Sequence, residues 1–430
     1  MTNHRQPAPL KLPRGTQDIL PDAWPLWRHA FRTAERVAEG AGYARIETPM
    51  FESTSLFTHA TGEHTDVNRE MYTFEDRGGD ELSLRPEGTA SVFRAYFQHG
   101  MKVLAQPVKL YYIGSMFRYE RPQRGRFREH HQFGCEAIGS SDPLVDASLV
   151  AVQDRYYRAL SVGETRIQVN SIGDQSCRPG FLIELVAYLR QHTSELCGQC
   201  RDRVERNPLR VLDCKVESCQ PVLDAAPRML DSLCDDCRSH WDGFMSGIHA
   251  LDLPAEVNPR LVRGLDYYTR TVWEFQPDAP GGAQSTLGGG GRYDALAEAI
   301  GAPATPGVGF STGVERVMLN IDSEIAAGLA SDSIDAFVTS TGPEAELLAL
   351  SVTAALWSDG IRADMSFDNR SLGTQLKQAN ARDAAVAILL GDQELAREIA
   401  TVKLLRSGEQ REIPLADIQA VVHDLISGLR

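Results

Sequence analysis

Two runs rich in β-branched and aromatic residues, 108–119 and 127–138, flank the turn-forming sequence PQRG and predict one long β-hairpin. Side chains alternate between the two faces of a strand, so a hairpin centred on this turn places even-numbered residues opposite one another. Arg118, Gln132 and Glu136 would then share a face. Such polar groups are costly to bury unless they bind one another or a ligand, and the alternative is a polar sheet surface that faces water.

Three separated arginines are candidates for binding phosphate: Arg118 in the hairpin, Arg263 in LVRGLDYYTR and Arg316 in GVERV. Planar guanidinium groups suit phosphate oxygens, and three that converge could neutralise a triphosphate and stabilise charge at its α-phosphorus. The alternative for each arginine is an ordinary salt bridge. The sequence has no G-x-x-x-x-G-K-[ST] motif and its glycine runs lack the G-x-G-x-x-G spacing, so a nucleotide would not be bound in those ways.

Charge limits the partners that the chain can bind. Its 430 residues include 44 basic and 58 acidic ones, and the net charge of −14 argues against indiscriminate binding to nucleic acid or anionic membranes. Any contact with nucleic acid must be local, and the candidate is FRYERPQRGRFR, with five arginines and a single acid. The chain starts without an apolar stretch of signal-peptide type, and its longest apolar run, 384–390, is too short to cross a bilayer. We therefore expect a cytoplasmic protein that makes no membrane contact.

The order of sequence patterns predicts two domains. The first would span 1–325, with an insertion at about 170–250 that holds most of the cysteines. Within it, the glycines of 288–291 predict a flexible turn into a helix, and 307–319 predicts a strand that passes into another helix. Residues 333–430 alternate strands with helices, which is the pattern of a small α/β domain.

These segments resemble the signature regions of class II aminoacyl-tRNA synthetases. FRYERPQRGRFREHHQFGCEAIG is similar to motif 2, GVGFSTGVERVML to motif 3, and YARIETPMFE to the dimer-forming motif 1. LRPEGTA and RGLDYYTR are similar to segments that distinguish the histidine-specific members, and the C-terminal module resembles the anticodon-binding domain of these enzymes. The resemblance covers essentially the whole chain. It implies an α+β fold, in which an antiparallel sheet flanked by helices is followed by a C-terminal α/β anticodon-binding domain.

The resemblance also implies the reaction. L-histidine would be activated by ATP to histidyl-adenylate and transferred to the 3′ end of tRNA(His), with Mg²⁺ at the site and a homodimer as the assembly. Arg118 is implied to bind the α-phosphate and the carboxylate, Arg316 the distal phosphates, and Arg263 the pentacovalent transition state, while Arg126 lies near ATP. The attacking carboxylate is already ionised at neutral pH, so no general base is needed.

A histidine pocket follows from the same resemblance. Glu87, Thr89 and Gln132 correspond to residues that hold the α-amino group, and Glu136 and Tyr268 to residues that contact the imidazole. A carboxylate and a phenol at opposite ring nitrogens would reject an apolar side chain.

Two further tyrosines, Tyr267 and Tyr293, are expected to close this pocket, with packing in the core as the alternative.

RNA contacts are implied in two places. The motif 2 loop would approach the acceptor end of the tRNA through Arg121, Arg124 and Arg128, by phosphate and base contacts. The C-terminal module has more acidic than basic residues, so its RNA contact must come from a local face. The candidates for that face are Arg370, Lys377 and Arg382.

The cysteines allow two interpretations. Cys197-x-x-Cys200 and Cys234-x-x-Cys237 have the paired spacing of a structural zinc site. However, the 33 residues between the pairs exceed the spacing of common zinc ribbons, so free or helix-packed thiols are favoured over zinc. Eight cysteines are too few for a disulfide scaffold in a chain of this length.

Two other functions compete with an enzyme. A non-catalytic, histidine-sensing regulatory subunit of ATP phosphoribosyltransferase shares the catalytic fold, but it is expected to lack the C-terminal module and the catalytic signatures that are present in this chain. A zinc-dependent RNA-binding module without catalysis would explain the cysteines and leave RPEGT and Glu136 unexplained.

Overall fold

The structure is a computed structural model, and it describes residues 10–62, 65–265, 267–278, 286–329 and 333–429. The chain forms two compact units, Met1–Leu329 and Ala330–Arg430. Among the described helices, none combines the length and the apolar character that a bilayer crossing requires.

The first unit mixes helices and strands along its whole length. Its strands are β1 Ala44–Arg45, β2 Phe51–Ser53, β3 Thr73–Glu75, β4 Glu81–Leu84, β5 Val108–Phe117, β6 Glu129–Ile138, β7 Thr165–Ser171, β8 Ala255–Val257, β9 Thr269–Pro277, β10 Gly288–Arg292 and β11 Gly307–Gly313. Its helices are α1 Trp24–Gly40, α2 Thr54–Thr61, α3 Asp66–Arg69, α4 Thr89–Gln98, α5 Pro143–Ala159, α6 Arg178–Gln191, α7 Gly198–Arg206, α8 Gln220–Asp224, α9 Asp235–Ala250, α10 Leu296–Ala299, α11 Val314–Met318 and α12 Ser323–Gly328.

The main sheet has, within the described residues, eight strands in the order β1-β5-β6-β11-β10-β9-β7-β8. The inner pairs are antiparallel, and the two outer pairs, β1 with β5 and β7 with β8, are parallel. A second sheet has the order β2-β4-β3. The predicted α+β fold with a largely antiparallel sheet is confirmed.

The predicted hairpin is β5 and β6, which pair from Val108 with Ile138 to Phe117 with Glu129. Even-numbered residues therefore lie opposite even-numbered ones, as predicted. Odd-numbered Tyr111 and Phe133 are fully buried in a core shared with residues of α1 and α5. The helices thus cover one face of the hairpin, and the even-numbered residues point to the other face.

The prediction of a flexible turn at 288–291 is wrong, because these glycines form β10 inside the main sheet. Their neighbours leave no room for side chains. A Cβ on Gly289 or Gly291 would overlap the Trp273 or Thr271 carbonyl group on the adjacent strand. The strand is therefore glycine-rich because large side chains and neighbouring backbone approach it closely, which periodicity alone does not reveal.

The second unit contains β12 Ala336–Thr341, β13 Ala363–Met365, β14 Val386–Gly391, β15 Ile399–Leu404 and β16 Gln410–Pro414, with helices α13 Pro343–Ser358, α14 Leu372–Ala381, α15 Asp392–Ala396 and α16 Ile418–Leu429. The strand order is β13-β12-β14-β15-β16. β12 pairs in parallel with β13 and β14, and the remaining pairs are antiparallel. This small α/β unit has its own apolar core, as the sequence predicts.

The substitution Gly290→Ala should destabilise the first unit, because the new Cβ would overlap the Gly309 carbonyl oxygen and the Trp273 ring. Overpacking of this kind costs about 1–3 kcal/mol. We expect a loss of this size in the free energy of unfolding measured with urea. Gly180→Ala, where nothing lies within 4 Å of the new Cβ, is the control and should cause no loss. Equal stability of the two variants would contradict the packing around β10.

Candidate active site

A cavity of about 280 Å³ opens on the even-numbered face of the hairpin. Residues that are far apart along the chain meet in its wall. Those that were predicted from the sequence are Glu87, Thr89, Arg118, Arg126, Gln132, Arg263, Tyr267, Tyr268 and Arg316. The cavity is therefore lined by arginines, carboxylates and tyrosines together, which a water-facing sheet surface does not require.

One side of the cavity carries a group of guanidiniums. Arg118, just after β5, donates from Nε to the Pro86 carbonyl oxygen at 2.8 Å. Arg316, in α11, donates from Nη1 to the Thr286 carbonyl oxygen at 2.9 Å. Burial lowers the pKa of Arg316, and the positive charges of Arg126 and Arg118 lower it further. The charge of Glu120 opposes this lowering and offsets part of the repulsion among the arginines, and a polyphosphate would stabilise the group further.

Arg263 lies beside this group in a different electrostatic setting. Its Nη1 is 2.5 Å from Oε1 of Glu274, and its guanidinium lies 5.8 Å from the centre of the Tyr268 ring. Burial alone would lower the pKa of Arg263, but Glu274 and Tyr268 raise it well above its ordinary value. Its buried Nε has no hydrogen-bond partner among the described residues. Arg263 is therefore a permanent cation, and its Nε–H is a donor left for a ligand.

The acidic side of the cavity begins at the N-terminus of α4. The backbone N–H groups of Thr89 and Ala90 donate to the Glu87 carboxylate at 2.7 and 2.9 Å. Burial raises the pKa of Glu87, while these hydrogen bonds and the charge of Arg118 oppose the rise. Arg85 anchors the same segment by donating to the Thr48 carbonyl oxygen at 2.8 Å. Glu87 is therefore a fixed acceptor at the cavity wall.

Gln132 adds a second acceptor to this side. The side chain is 8% exposed, and its Oε1 is buried without a hydrogen-bond donor among the described residues. A buried carbonyl without a partner is costly, so a donor from a ligand would be favourable there.

Glu136 is fully buried and is not among the residues that line the cavity. Thr89 Oγ1 donates to its Oε1 at 2.8 Å, and the Tyr293 hydroxyl donates to its Oε2. A Cβ on Gly309, which does line the cavity, would overlap that same Oε2. The carboxyl therefore lies directly behind the wall formed by Thr89 and Gly309.

The tyrosines form one aromatic cluster next to Glu136. Ring centres of Tyr267 and Tyr268 are 4.7 Å apart, and Tyr293 lies 5.5 and 6.2 Å from them. Burial raises the pKa of all three hydroxyls, so they remain protonated donors. Tyr267 and Tyr268 line the cavity, whereas Tyr293 packs in the core behind it.

Sequence reasoning missed several polar residues of the wall: Glu120, His130, Glu274 and Glu315. Glu120 lies 2.7 Å from Nε of Arg126, and Glu315 accepts from the His131 backbone N–H at 2.9 Å. Burial and the charges of the nearby arginines lower the pKa of His130 to about 3, so this imidazole is neutral. Glu120 and His130 have even numbers, so the alternation that singled out Gln132 could have found them.

Comparison with known proteins places the chain in a family. The family model described as Histidyl-tRNA synthetase matches residues 15–175 and 186–317, and the model described as Anticodon binding domain matches residues 335–425. The chain belongs to the histidyl-tRNA synthetase family. The match at 335–425 covers the C-terminal module that the regulatory-subunit alternative is expected to lack, so that alternative is not supported.

Relatives in this family match nearly the whole chain. A histidine–tRNA ligase from Dehalococcoides mccartyi is 46% identical over 404 residues, which cover 94% of this chain and 96% of the relative. One from Halothermothrix orenii is 44% identical over 418 residues, 97% of this chain and 100% of the relative. The crystal structure of apo S. aureus histidyl-tRNA synthetase is similar with a TM-score of 0.80 and 35% identity, covering 97% of this chain and 100% of that one.

The predicted RNA-contacting arginines of the first unit lie at the hairpin turn of this synthetase family member. Arg121 and Arg124 are exposed, and the Arg128 guanidinium stacks 3.7 Å from the centre of the Tyr119 ring. Gly125 has φ +70°, which the turn between Gln123 and Arg126 requires.

In the second unit, two of the three residues predicted to contact RNA line one hollow, and the third lies outside its lining. Arg370 and Arg382 line a hollow of about 350 Å³ together with Phe367, which is 57% exposed. Lys377 is exposed on α14 and is not part of the lining.

The two cysteine pairs do not form one cluster, which corrects the single zinc site considered from the sequence. Cys197 and Cys200 meet Cys214 and Cys219, whereas Cys234 and Cys237 meet Asp174 and Cys177. The pairs separate because each opens a different helix, α7 or α9, and each helix begins next to a different loop.

The stability of Glu136→Gln relative to the parent should increase with pH. Burial, aided by the charge of Glu87, raises the pKa of Glu136 from 4.5 to about 8. Between these values the unfolded chain ionises the carboxyl and the folded chain does not, so the parent loses stability as pH rises. The advantage of the variant should grow between about pH 5 and pH 8 by on the order of 1 kcal/mol per pH unit.

Urea unfolding at several pH values measures this difference. The exposed Glu298→Gln in α10 is the control for the chemical change itself. A pH-independent effect of Glu136→Gln would show that Glu136 is ionised in the folded protein.

Proposed function

We propose that the chain is a histidine–tRNA ligase, which couples L-histidine to AMP from ATP in this cavity and transfers it to the 3′ end of tRNA(His). The observation that carries the proposal is the division of one cavity into a cationic side and an acidic side. ATP and the histidine carboxylate suit the first, and the α-amino group suits the second. A histidine sensor without catalysis would not need Arg263 fixed next to the phosphate-binding arginines.

The first step, formation of histidyl-adenylate, would be accelerated by positioning of the substrates and by neutralisation of phosphate charge. Arg118 would bind the α-phosphate and the histidine carboxylate, with Arg126 and Arg316 on the distal phosphates. The carboxylate oxygen attacks the α-phosphorus, a P–O bond forms, and pyrophosphate leaves. Arg263 would stabilise the charge on the pentacovalent transition state, and its pairing with Glu274 keeps it ionised and oriented.

The histidine would be held by its amino group and by its ring. Glu87 and the open acceptor of Gln132 suit an ammonium group, with Thr89 alongside. Tyr268 lies at the wall where it can contact the imidazole. Glu136 would contact the ring only if the residues that cover it give way, because Thr89 and Tyr293 already occupy its oxygens.

Mg²⁺ fits the lining of the cavity as a partner of ATP. Mg²⁺ binds through one or two carboxylates together with substrate phosphates, and Glu120 and Glu274 are carboxylates in the wall near the arginines. A bound ion would supply further neutralisation of phosphate charge. The residues do not form a cage of carboxylates by themselves, which agrees with an ion that arrives with its nucleotide.

The second step transfers the histidyl group to RNA. A terminal ribose hydroxyl of tRNA(His) attacks the acyl carbonyl and AMP leaves. Arg121, Arg124 and Arg128, at the hairpin turn that borders the cavity through Gly125 and Arg126, would contact the acceptor end. In the second unit, Arg370, Arg382 and the exposed Phe367 suit an anticodon, because aromatic rings stack on bases and guanidiniums pair with phosphates.

The domains and assembly follow the same proposal. We assign catalysis to 1–325 with its insertion at about 170–250, and anticodon binding to 333–430. A homodimer would cover three exposed apolar side chains. Met50 and Phe51 lie in the segment that resembles motif 1, and Phe74 lies on β3 of the same small sheet as Phe51; they are 51%, 52% and 43% exposed. The location we propose is the cytoplasm, where tRNA is charged.

Arg263→His should abolish most of the first step. We expect histidine-dependent exchange of labelled pyrophosphate into ATP to fall about 100-fold or more, the loss typical of removing one donor to a transition-state charge. The KM for ATP should change much less, because Arg118 and Arg316 would still bind the phosphates.

The control is Arg166→His, a surface residue paired with the exposed Asp278 in the same sheet, and its exchange rate should equal that of the parent. A rise in the KM for ATP as large as the fall in rate would show that Arg263 binds ATP rather than its transition state. Absence of exchange in the parent chain with histidine, ATP and Mg²⁺ would sink the proposed function itself.

Arg124→Ala should separate the two steps, because this arginine lies at the exposed tip of the turn. We expect kcat/KM for tRNA in aminoacylation to fall about 5-fold to 150-fold, the effect of losing about 1–3 kcal/mol of RNA contact. Pyrophosphate exchange without tRNA should be unchanged. An equal loss in both assays would mean that Arg124 shapes the cavity and has no separate contact with RNA.

A further inference from the structure

Two clusters of side chains of the kinds that bind metals lie in and beside the insertion, outside the cavity. The four-cysteine cluster consists of Cys197, Cys200, Cys214 and Cys219, and the three-cysteine cluster consists of Asp174, Cys177, Cys234 and Cys237. In each cluster the ligand atoms all lie within 4.8 Å of one another. Seven of the eight cysteines of the chain are therefore gathered in two places, and only Cys135 lies elsewhere, in β6.

We propose that each cluster binds one Zn²⁺ ion and that the two ions are structural. A tetrahedral site with Zn–S bonds of about 2.3 Å places its sulfurs about 3.8 Å apart. The Sγ atoms of Cys197 and Cys214 are 3.9 Å apart. This separation suits two ligands of one ion and is far from the bond of about 2.05 Å in a disulfide.

The backbone around the four-cysteine cluster prepares it for thiolates. Cys197 immediately precedes α7 and Cys200 lies in its first turn, so the helix presents both sulfurs to one side. The Cys197 backbone N–H donates to Sγ of Cys219 at 3.2 Å, and the Val216 backbone N–H donates to Sγ of Cys214 at 3.4 Å. Hydrogen bonds to ligand atoms orient them and stabilise their negative charge.

The spacing of these cysteines also suits zinc. They follow the pattern C-x₂-C, thirteen residues, then C-x₄-C. Two short ligand pairs separated by a longer segment are typical of structural zinc sites. The segment between the pairs contains only part of α7 and a short 3-10 turn, Pro208–Val211, so a metal would hold together a region with little regular structure.

The three-cysteine cluster repeats the helix-start geometry. Cys234 precedes α9 with φ −68° and ψ 166°, close to the −67° and 160° of Cys197 before α7. Cys237 follows in the first turn. The same local conformation at both C-x-x-C motifs indicates the same task, which is to direct two sulfurs toward one point.

Asp174 and Cys177 complete this second cluster from the loop after β7. Oδ1 of Asp174 lies 3.7 Å from Sγ of Cys177 and 4.0 Å from Sγ of Cys234. The Ser176 backbone N–H fixes the carboxylate at 2.9 Å, and Nη2 of Arg270 lies 3.3 Å from its other oxygen. Three thiolates and a carboxylate exceed the charge of Zn²⁺ by two, and Arg270 offsets part of that excess.

Packing of neutral thiols is the competing explanation. A buried cysteine behaves as a small apolar residue, and several of these sulfurs do lie in an apolar core. Packing alone, however, gives no reason for a carboxylate to join three of them or for backbone N–H groups to point at two of the others. Zinc accounts for the cysteines, the carboxylate and the donors together.

The test is the zinc content of the full-length chain purified under reducing conditions. We expect two zinc ions per chain by elemental analysis. Cys214→Ser and Cys177→Ser should each leave one ion, and the double variant none. Cys135→Ala is the matched control, because it removes a buried cysteine outside both clusters, and it should keep both ions.

Each outcome decides part of the proposal. A zinc-free parent whose clustered thiols react freely with a thiol reagent after incubation with zinc would overturn both sites. One ion per chain that only Cys214→Ser removes would overturn the three-cysteine site alone. These readouts do not depend on aminoacylation, so they fail or succeed separately from the proposed function.

A second measurement covers the case in which the serine variants do not fold. The parent chain is exchanged with Co²⁺, which reports on its ligands by absorption. We expect two equivalents of Co²⁺ to bind, with a sulfur-to-cobalt charge-transfer band in the near ultraviolet and a tetrahedral d–d envelope in the visible range. Weak d–d bands without charge transfer would indicate oxygen ligands and would contradict the proposal.

Discussion

The alternation of side chains along β5 and β6 is the constraint on which the rest of the first unit depends. Odd-numbered residues such as Tyr111 and Phe133 are sealed against α1 and α5, which fixes the register of the hairpin. The even-numbered set then has to face the opposite side. Arg118, Gln132 and Glu136 are brought to one region by this pairing, and a slip of one residue would exchange them with the apolar set.

The guanidinium groups of the cavity are held in position mostly without losing their positive charge to a partner. Arg118 and Arg316 are fixed mainly by carbonyl oxygens, which accept hydrogen bonds without cancelling a positive charge. Arg263, by contrast, is paired with a carboxylate at 2.5 Å. The first arrangement leaves charge available for an anionic substrate, and the second fixes one guanidinium in place. A site that prepares its charges in this way avoids reorganisation during the reaction.

The sequence could predict structural elements whose side chains alternate with a short period, and segments that resemble a known family. The hairpin, its faces and the strand–helix passage at β11 and α11 belong to this class, and so does the α/β pattern of the second unit. Contacts between distant segments could not be derived in this way. The pairing of Arg263 with Glu274 joins a loop to the strand β9 that follows it, and the division of the cysteines into two clusters depends on which loop each helix meets. The glycines of β10 were wrongly predicted to form a turn, because the neighbouring groups that leave no room for side chains there are not visible in the sequence.

The backbone of β10 has a consequence for how this site can change. Gly288 of β10 and Gly309 of β11 line the cavity, and a Cβ on either would collide with the backbone of an adjacent strand, so neither position can carry a side chain that reshapes the cavity. A change in ligand preference would have to come from other wall residues, such as Tyr267, Tyr268 and those at the N-terminus of α4. The glycine positions stay constant while the side chains around them can vary.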